Sequence, residues 1–574
     1  MDLIDRGVFS RKAQETKTCQ VDLAGLEAGT HQTDDIIFAL DEAGRVTWAI
    51  DRVCDHASGK LVLDAGGATA TCPLHGWQLD LASRRYTNAQ TGKHALDFTV
   101  EDGVLAYERT HFVLEAPARQ TEMSPAPMTV RFLAHACVVI DVAGLRVVTD
   151  PWLMGPCFVT GWWHAVTPPE DALDVLNSAD LVYISHNHPD HMHRETLEKL
   201  RRDMPIIAPD FSSGSTVGPL REMGFETVHA AQFNHVYEVG ETGGRVSVLQ
   251  AGDFRDDSGL WVEGGGHSAL LSVDSNKLNN FVLPEAPDIL LTAFAGGASG
   301  YPVTFDTMSD EEKRRVTARN RMAVRDMAER YVREARPRAV MPYAGFFTEA
   351  APEDAGTKAL NAKNSSADIC EYLGRKMPEI VFADPLKTDI AVFDGDRIEL
   401  SAFSGDRLFD VTPAYCQGYI ARMVEEGRDH QGDALKSYFE AASFTDDLIV
   451  YVAPMTRDFS SYVAEGVVVD FTGDAPKVDV LTAQEVADRF AAERGESGPR
   501  RLLIRVRKDS LWHVVANGLP WEDLSIGFQC RVDRAPDVYN SDFWFHFTNV
   551  HIGEAVMPRL EAAQGNVQAA VDMG

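Results

Sequence analysis

Ser185-His186-Asn187-His188-Pro189-Asp190-His191-Met192-His193 follows the apolar run Leu181-Val182-Tyr183-Ile184, and its reading decides the rest of the chain. The run has the composition of a buried strand, so the imidazoles and the carboxylate leave one strand end together. Residues two apart on an extended segment face the same side, which lets His186 and His188 grip one metal ion. Asp190 and His191 then turn toward a neighbouring position. This mixture of nitrogen and oxygen donors suits zinc or iron, and an open coordination position permits chemistry there. His193 falls outside the spacing and reads as a rim residue.

The H-x-H-x-D-H string resembles the metal-binding motif of the metallo-β-lactamase fold. That resemblance implies a layered αββα sandwich and two further carboxylates. Asp274 in L-L-S-V-D-S follows an apolar strand, as the fold's bridging aspartate does, and Asp253 in Q-A-G-D-F-R is the other candidate. Fold relatives commonly carry histidine at the earlier position, which makes His235 and His267 the substitutes. His135 and Asp150, at strand ends, read equally as groups orienting metal-bound imidazoles or as turn residues. Met341-Pro342-Tyr343-Ala344-Gly345-Phe346 has no histidine where many relatives place a final zinc ligand, which argues against a standard dizinc hydrolase.

A second landmark lies upstream. Short strands such as Ile36–Leu40 and Val46–Ile50, broken by Gly, Asp and Asn turns, fill Asp22 to Arg109. Among them sit C-D-H at Cys54 to His56 and C-P-L-H at Cys72 to His75, fifteen residues apart. Two Cys and two His in paired loops suit a Rieske 2Fe-2S cluster, in which one iron takes two thiolates and the other two imidazoles. A structural zinc site uses the same donors. C-x-H followed by C-P-x-H-G-W resembles the Rieske domains of oxygenases and ferredoxins. Neither loop carries the extra cysteine of respiratory-complex Rieske proteins, so the resemblance is to the oxygenase type, with an expected potential of about -150 mV.

A chain of 574 residues exceeds what one core serves. The expected organisation is α/β multidomain: an all-β Rieske domain over 1–109, a Pro-punctuated linker over 110–127, the αββα sandwich over 128–394 and an α+β domain over 395–574. Within the sandwich, strands are expected at Thr129–Leu133, Cys137–Val142 and Leu145–Thr149. Ser309 and Glu312 form a capping-box pattern ahead of a long helix ending near Pro337. The run A-G-G-A-S-G-Y-P-V-T-F at Ala295 to Phe305 could let backbone amides approach a phosphate. The C-terminal region shows no catalytic motif, and Trp512, Trp521 and Trp544 read as core.

A formal charge of -32 disfavours binding to nucleic acid or to an anionic membrane, and an anionic substrate would need a local Arg or Lys cluster. The start, M-D-L-I-D-R-G-V-F-S-R-K, has charges where a signal peptide needs an apolar core, and no later run is long enough for a transmembrane helix. A cytoplasmic protein is expected. Eight cysteines in so long a chain form no disulfide framework.

A Rieske pattern and a metallo-β-lactamase motif in one chain resemble the CMP-N-acetylneuraminate hydroxylase family. Besides the histidine loop, the resemblance is carried by D-P-W-L-M-G-P and G-W-W within Asp150 to Trp163, A-G-G-A-S-G-Y-P, P-Y-A-G-F-F, and W-E-D-L-S-I-G-F-Q at Trp521 to Gln529. It implies an iron-dependent monooxygenase that uses O2 and two electrons to turn an N-acetyl group into N-glycolyl. Electrons would arrive from a reductase through cytochrome b5 or a ferredoxin. They would pass through the 2Fe-2S cluster on Cys54, His56, Cys72 and His75 to one or two non-haem irons on His186, His188, Asp190, His191, Asp253 and Asp274, with Asp190 as the catalytic carboxylate. Lys363 and Asn364 could meet a phosphate or carboxylate, and Trp162 and Trp163 could stack on a base; solvation or core packing accounts for each equally well. A homo-oligomer is compatible with the resemblance. Three alternatives stay open: a related N-oxygenase or amide hydroxylase of specialised metabolism, a metallo-β-lactamase-fold zinc hydrolase, and an electron-transfer protein without an organic substrate.

Overall fold

The computed structural model describes residues 2–55, 59–73, 76–87, 91–120, 123–252 and 255–552. Met128–Ala134, Cys137–Val142 and Leu145–Thr149 form an antiparallel meander, as their β-branched composition and the Gly144 turn predict. The last of these pairs in parallel with Leu181–Tyr183, which continues in parallel to Ile206–Pro209 and Val228–Ala231. With Thr388–Asp394 and Arg397–Ala402 on the other side, these strands make an eight-stranded sheet.

A second eight-stranded sheet is built from Leu3–Val8, His235–Val239, Arg245–Gln250, Ser258–Gly264, His267–Leu271, Ile289–Thr292, Ala339–Pro342 and Val381–Phe382. Both sheets contribute to one apolar core, whose central strands are buried throughout, the pattern expected of a sheet covered on both faces. Helices Asp310–Ala335 and Ser366–Lys376 pack on the second sheet, and Val217–Glu222 packs on the first. The result is the expected αββα layering. The long helix starts with the Ser309/Glu312 capping box and ends where Arg336 turns left-handed at φ 51°.

Two strands lie outside the span 128–394: Leu3–Val8 pairs with His235–Val239, and Arg397–Ala402 pairs with Thr388–Asp394. Residues 110–115, expected in a linker, instead continue the strand Val104–Glu115, which pairs with Ser10–Asp22. The physical reason is local: T-H-F-V-L-E is aromatic and β-branched, and the prolines that break strand structure come only from Pro117 onward.

Between these ribbons lie a three-stranded sheet, Gly29–Gln32, Ile36–Leu40 and Val46–Asp51, and a four-stranded one, Val62–Leu63, Thr69–Thr71, Gln78–Asp80 and Arg85–Tyr86. The C-terminal region is α+β, with a five-stranded mixed sheet ordered Lys477–Thr482, Glu465–Asp470, Leu448–Met455, Arg500–Arg507 and Cys530–Ala535. Trp512, Trp521 and Trp544 are all buried there. No described helix is long and apolar enough to cross a membrane.

Candidate metal centre and its cavity

Strand Leu181–Tyr183 lies between two parallel neighbours, so the histidine loop emerges at the carboxyl edge of the sheet, where open α/β sheets bind ligands. Hydrogen bonds assign the ring protons. Asp150 accepts from the Ser185 N–H and hydroxyl, each at 2.8 Å, and from His191 Nδ1–H at 3.0 Å. With its hydroxyl proton on Asp150, Ser185 Oγ accepts from His186 Nδ1–H at 2.9 Å. His188 Nε2–H points to Glu522 Oε2 at 3.4 Å. These contacts leave His186 Nε2, His188 Nδ1 and His191 Nε2 with lone pairs, as metal ligation requires.

The orphaned atoms fit a cation. His186 Nε2 and His188 Nδ1 face each other at 2.9 Å, and two lone pairs hold that approach only with a positive charge between them. His191 Nε2 and Asp190 Oδ1 are buried without hydrogen-bond partners. Donor atoms of His186, His191 and Asp274 lie within 4.8 Å of one another, as do those of His135, Asp190 and His191. Burial lowers the proton affinity of His191, but Asp190, Asp274 and Asp150 outweigh it and raise the pKa well above the usual histidine range. A metal ion would take the place of that proton.

The backbone is strained around this centre. His135, Asp150 and Val273, the residue before Asp274, have φ of 45°, 36° and 50°. Left-handed backbone at non-glycine residues costs about 1–3 kcal/mol each and concentrates at sites whose geometry the fold over-determines.

The structure brings together His186, His188, Asp190, His191 and Asp274, and adds His135, whose Nε2 lies 3.1 Å from Asp190 Oδ2. Asp150 takes the orienting role. Asp253, His56 and His75 lie outside the described residues. His235 and His267 are engaged elsewhere: His235 pairs with Asp5, while His267 joins Asp288 to the Gly395 N–H. Cys54 and Cys72 are buried, with Cys54 N–H donating to Gly59 O at 2.9 Å and Cys72 N–H donating to Trp77 O at 2.7 Å.

Of the four expected substrate residues, Trp162 lines the cavity described below, stacked at 3.5 Å on Phe347. Trp163 does not; it is fully buried, with its Nε1–H on Thr160 O and its ring against Tyr415 and Tyr419. Lys363 is spent on both oxygens of Glu349 at 2.7 Å. Asn364 accepts from Arg325 and donates to Phe294 O and Arg321 O.

A cavity of about 270 Å³ opens on the metal centre through His135, His188, Asp190 and Asp274. Phe158, Trp162, Phe294 and Phe347 supply apolar walls, and the run Ala293 to Tyr301 supplies another side. Glu522 and Arg534 enter from the C-terminal region, and Trp77 from the loop after Cys72. The Cys72 loop abuts this wall: a Cβ on Gly76 would lie 3.2 Å from the Tyr301 hydroxyl. Glu522 and Arg534 carry no sequence motif of their own. Of the two, only Glu522 lies in a stretch that carries the family resemblance, W-E-D-L-S-I-G-F-Q.

The cytidine monophosphate-N-acetylneuraminic acid hydroxylase of Danio rerio is 30% identical over 561 residues, covering 91% of each chain. This chain belongs to that hydroxylase family. The protein of the same name in Macaca mulatta is 30% identical over 532 residues, covering 87% of this chain and 86% of its own. As a member of the hydroxylase family, the chain is an enzyme, an oxidoreductase. The profile of the Lactamase_B_3 family, the beta-lactamase superfamily domain, matches residues 129–268, in accord with the metallo-β-lactamase-like sandwich. Among solved structures, the chain is similar to CmlA, a diiron beta-hydroxylase from Streptomyces venezuelae, at 18% identity and a TM-score of 0.32, covering 48% of this chain and 55% of that one.

Proposed function

We propose that this hydroxylase is a Rieske-dependent non-haem iron monooxygenase acting on CMP-N-acetylneuraminate, converting N-acetyl to N-glycolyl with O2 and two electrons. One observation carries the reading: a single cavity is lined both by Trp77, five residues after Cys72, and by His188, Asp190 and Asp274. An electron carrier and an oxidising centre need such proximity, and a zinc hydrolase has no use for it.

In this reading the strands from Ser10 to Glu115 form the relay domain, 116–127 join it to the iron domain over 128–402, to which Leu3–Val8 adds a strand, and the region after residue 402 closes the cavity. Cys54 and Cys72, with His56 and His75, would hold the 2Fe-2S cluster, fed by cytochrome b5 or a ferredoxin and its reductase in the cytoplasm. His186, His188, His191, Asp190 and Asp274 would hold iron, with His135 in reach of Asp190. When bound, iron supplies the one-electron and dioxygen chemistry that breaking a C–H bond requires.

The protein's own residues do the rest. Ser185, Asp150 and Glu522 fix the imidazole tautomers, which sets the direction of each lone pair. Asp190, shared by His135 and His191, is the catalytic carboxylate. Phe158, Trp162, Phe294 and Phe347 exclude water from the reacting methyl group.

Anaerobically purified protein should show 2Fe-2S absorption together with additional iron, and under coupled turnover CMP-N-acetylneuraminate should gain one oxygen atom by mass. Zinc alone, with activity surviving Cys72→Ala, would sink the proposal.

A further inference from the structure

The Gly-rich wall of the cavity is unusual in how its backbone is used. The carbonyls hold it in place: Ala295 O accepts from Asn364 N–H at 2.8 Å, Gly297 O from Asn361 Nδ2 at 3.0 Å, and Gly300 O from Thr304 N–H at 2.8 Å. Among the described residues, no acceptor is bonded to the N–H of any residue from Ala295 to Gly300. Gly296 and Gly297 are left-handed at φ 69° and 71°, and a Cβ on Gly297 would meet Asn361 Oδ1 at 2.5 Å, so glycine is required there.

Arg534 stands beside this wall. Its guanidinium carbon lies 4.9 Å from the ring centre of Phe305, which packs edge-on against Tyr301. Its Nε–H donates to Asp537 at 2.6 Å, and among the described residues neither Nη atom has a hydrogen-bond partner. A guanidinium anchored through Nε offers its outer edge as a fork that matches two oxygens of a phosphate. Asn320 lines the same cavity with a buried, unbonded Oδ1, an acceptor for a hydroxyl or amino group near the anion. In a chain of net charge -32, with Asp190, Asp274 and Glu522 also lining the cavity, an anion would need local donors, and the unbonded backbone N–H groups of this wall and Arg534 line the same cavity.

We propose that Ala295–Gly300 and Arg534 form the subsite that takes the phosphate of the substrate, with the backbone N–H groups and the two Nη atoms of Arg534 as its donors. Naming the carrier of that phosphate as a CMP-sugar rests on the function proposed above; the anion subsite itself does not.

The test is calorimetric titration of metal-loaded wild type, Arg534→Gln and Arg534→Lys with CMP, cytidine and N-acetylneuraminate. Losing hydrogen bonds to a charged group, Arg534→Gln should weaken CMP about 10- to 100-fold and leave cytidine within about twofold. Arg534→Lys should recover part of the loss, because it restores the charge without the fork. An unchanged ratio of CMP to cytidine affinity overturns the proposal. So does a loss confined to N-acetylneuraminate, which would assign the guanidinium to the sugar carboxylate. If wild type binds neither CMP nor cytidine, the CMP-sugar reading fails and inorganic pyrophosphate decides the subsite: binding weakened by Arg534→Gln upholds it, and no binding ends it.

Discussion

Glu522 reaches across 334 residues of chain to place Oε2 3.4 Å from Nε2 of His188. The contact ties the histidine loop to the C-terminal region and leaves Nδ1 of His188 facing His186. A carboxylate that orients a metal-bound imidazole is worth about 10- to 100-fold in metal affinity when removed. Glu522→Gln should therefore weaken iron binding by about that factor while preserving the fold. Competition against a chelator of known affinity measures it, and unchanged affinity would show the contact to be incidental.

Lys363 distinguishes a substrate contact from a structural one. Its ammonium lies 2.7 Å from both oxygens of Glu349, whose side chain is 1% exposed. Removing one partner of a buried pair leaves an uncompensated charge and costs about 3–5 kcal/mol. Lys363→Met should lower unfolding stability by that amount, and Lys363→Met with Glu349→Gln should recover much of it. A stable Lys363→Met variant with impaired substrate binding would return the lysine to the substrate site.

Gly161 and Gly527 bring the G-W-W turn against the C-terminal region. A Cβ on Gly161 would overlap the carbonyl of Gly527, and one on Gly527 would overlap the carbonyl of Phe158. The neighbouring Trp162 Nε1–H donates to Ile526 O at 3.1 Å, so this contact positions a wall of the cavity. Gly161→Ala should destabilise by about 1–3 kcal/mol, as overpacking against backbone does, and should raise KM for substrate. Denaturant unfolding and steady-state kinetics read the two effects.

The features legible in the sequence are local ones. The meander of Met128 to Thr149 and the capping box of Ser309 follow from period, turn residues and spacing within a few positions. Asp274, which the resemblance marks through its place after an apolar strand, lies with His186 and His191. Glu522, Arg534 and Trp77 were not legible as a group, because their meeting depends on how three distant segments pack. Trp163 and Lys363 illustrate the converse: residue type suggested a ligand contact, but neighbours elsewhere in the chain had already used the side chain. The expected linker failed at residues 110–115 because strand propensity there continues up to the first proline.

His193 gives a pH dependence whose sign is fixed. Its Nδ1 accepts from the Thr196 N–H at 3.2 Å and the Thr196 hydroxyl at 2.9 Å, capping the helix Arg194–Leu197 as a neutral ring. Burial pushes its pKa down to about 4. The unfolded chain therefore binds the proton first as pH falls, so the contribution of His193 is fully present above about pH 6.5 and is lost progressively between there and pH 4. At pH 5 the loss is roughly 2 kcal/mol. Asn retains a capping oxygen without a titrating ring, so His193→Asn should fall less steeply than wild type between pH 7 and pH 5, by roughly that difference. Denaturant unfolding of metal-stripped protein at the two pH values measures it, with the other titrating groups common to both proteins. Parallel curves would mean that His193 is protonated in the folded state and caps the helix in another way.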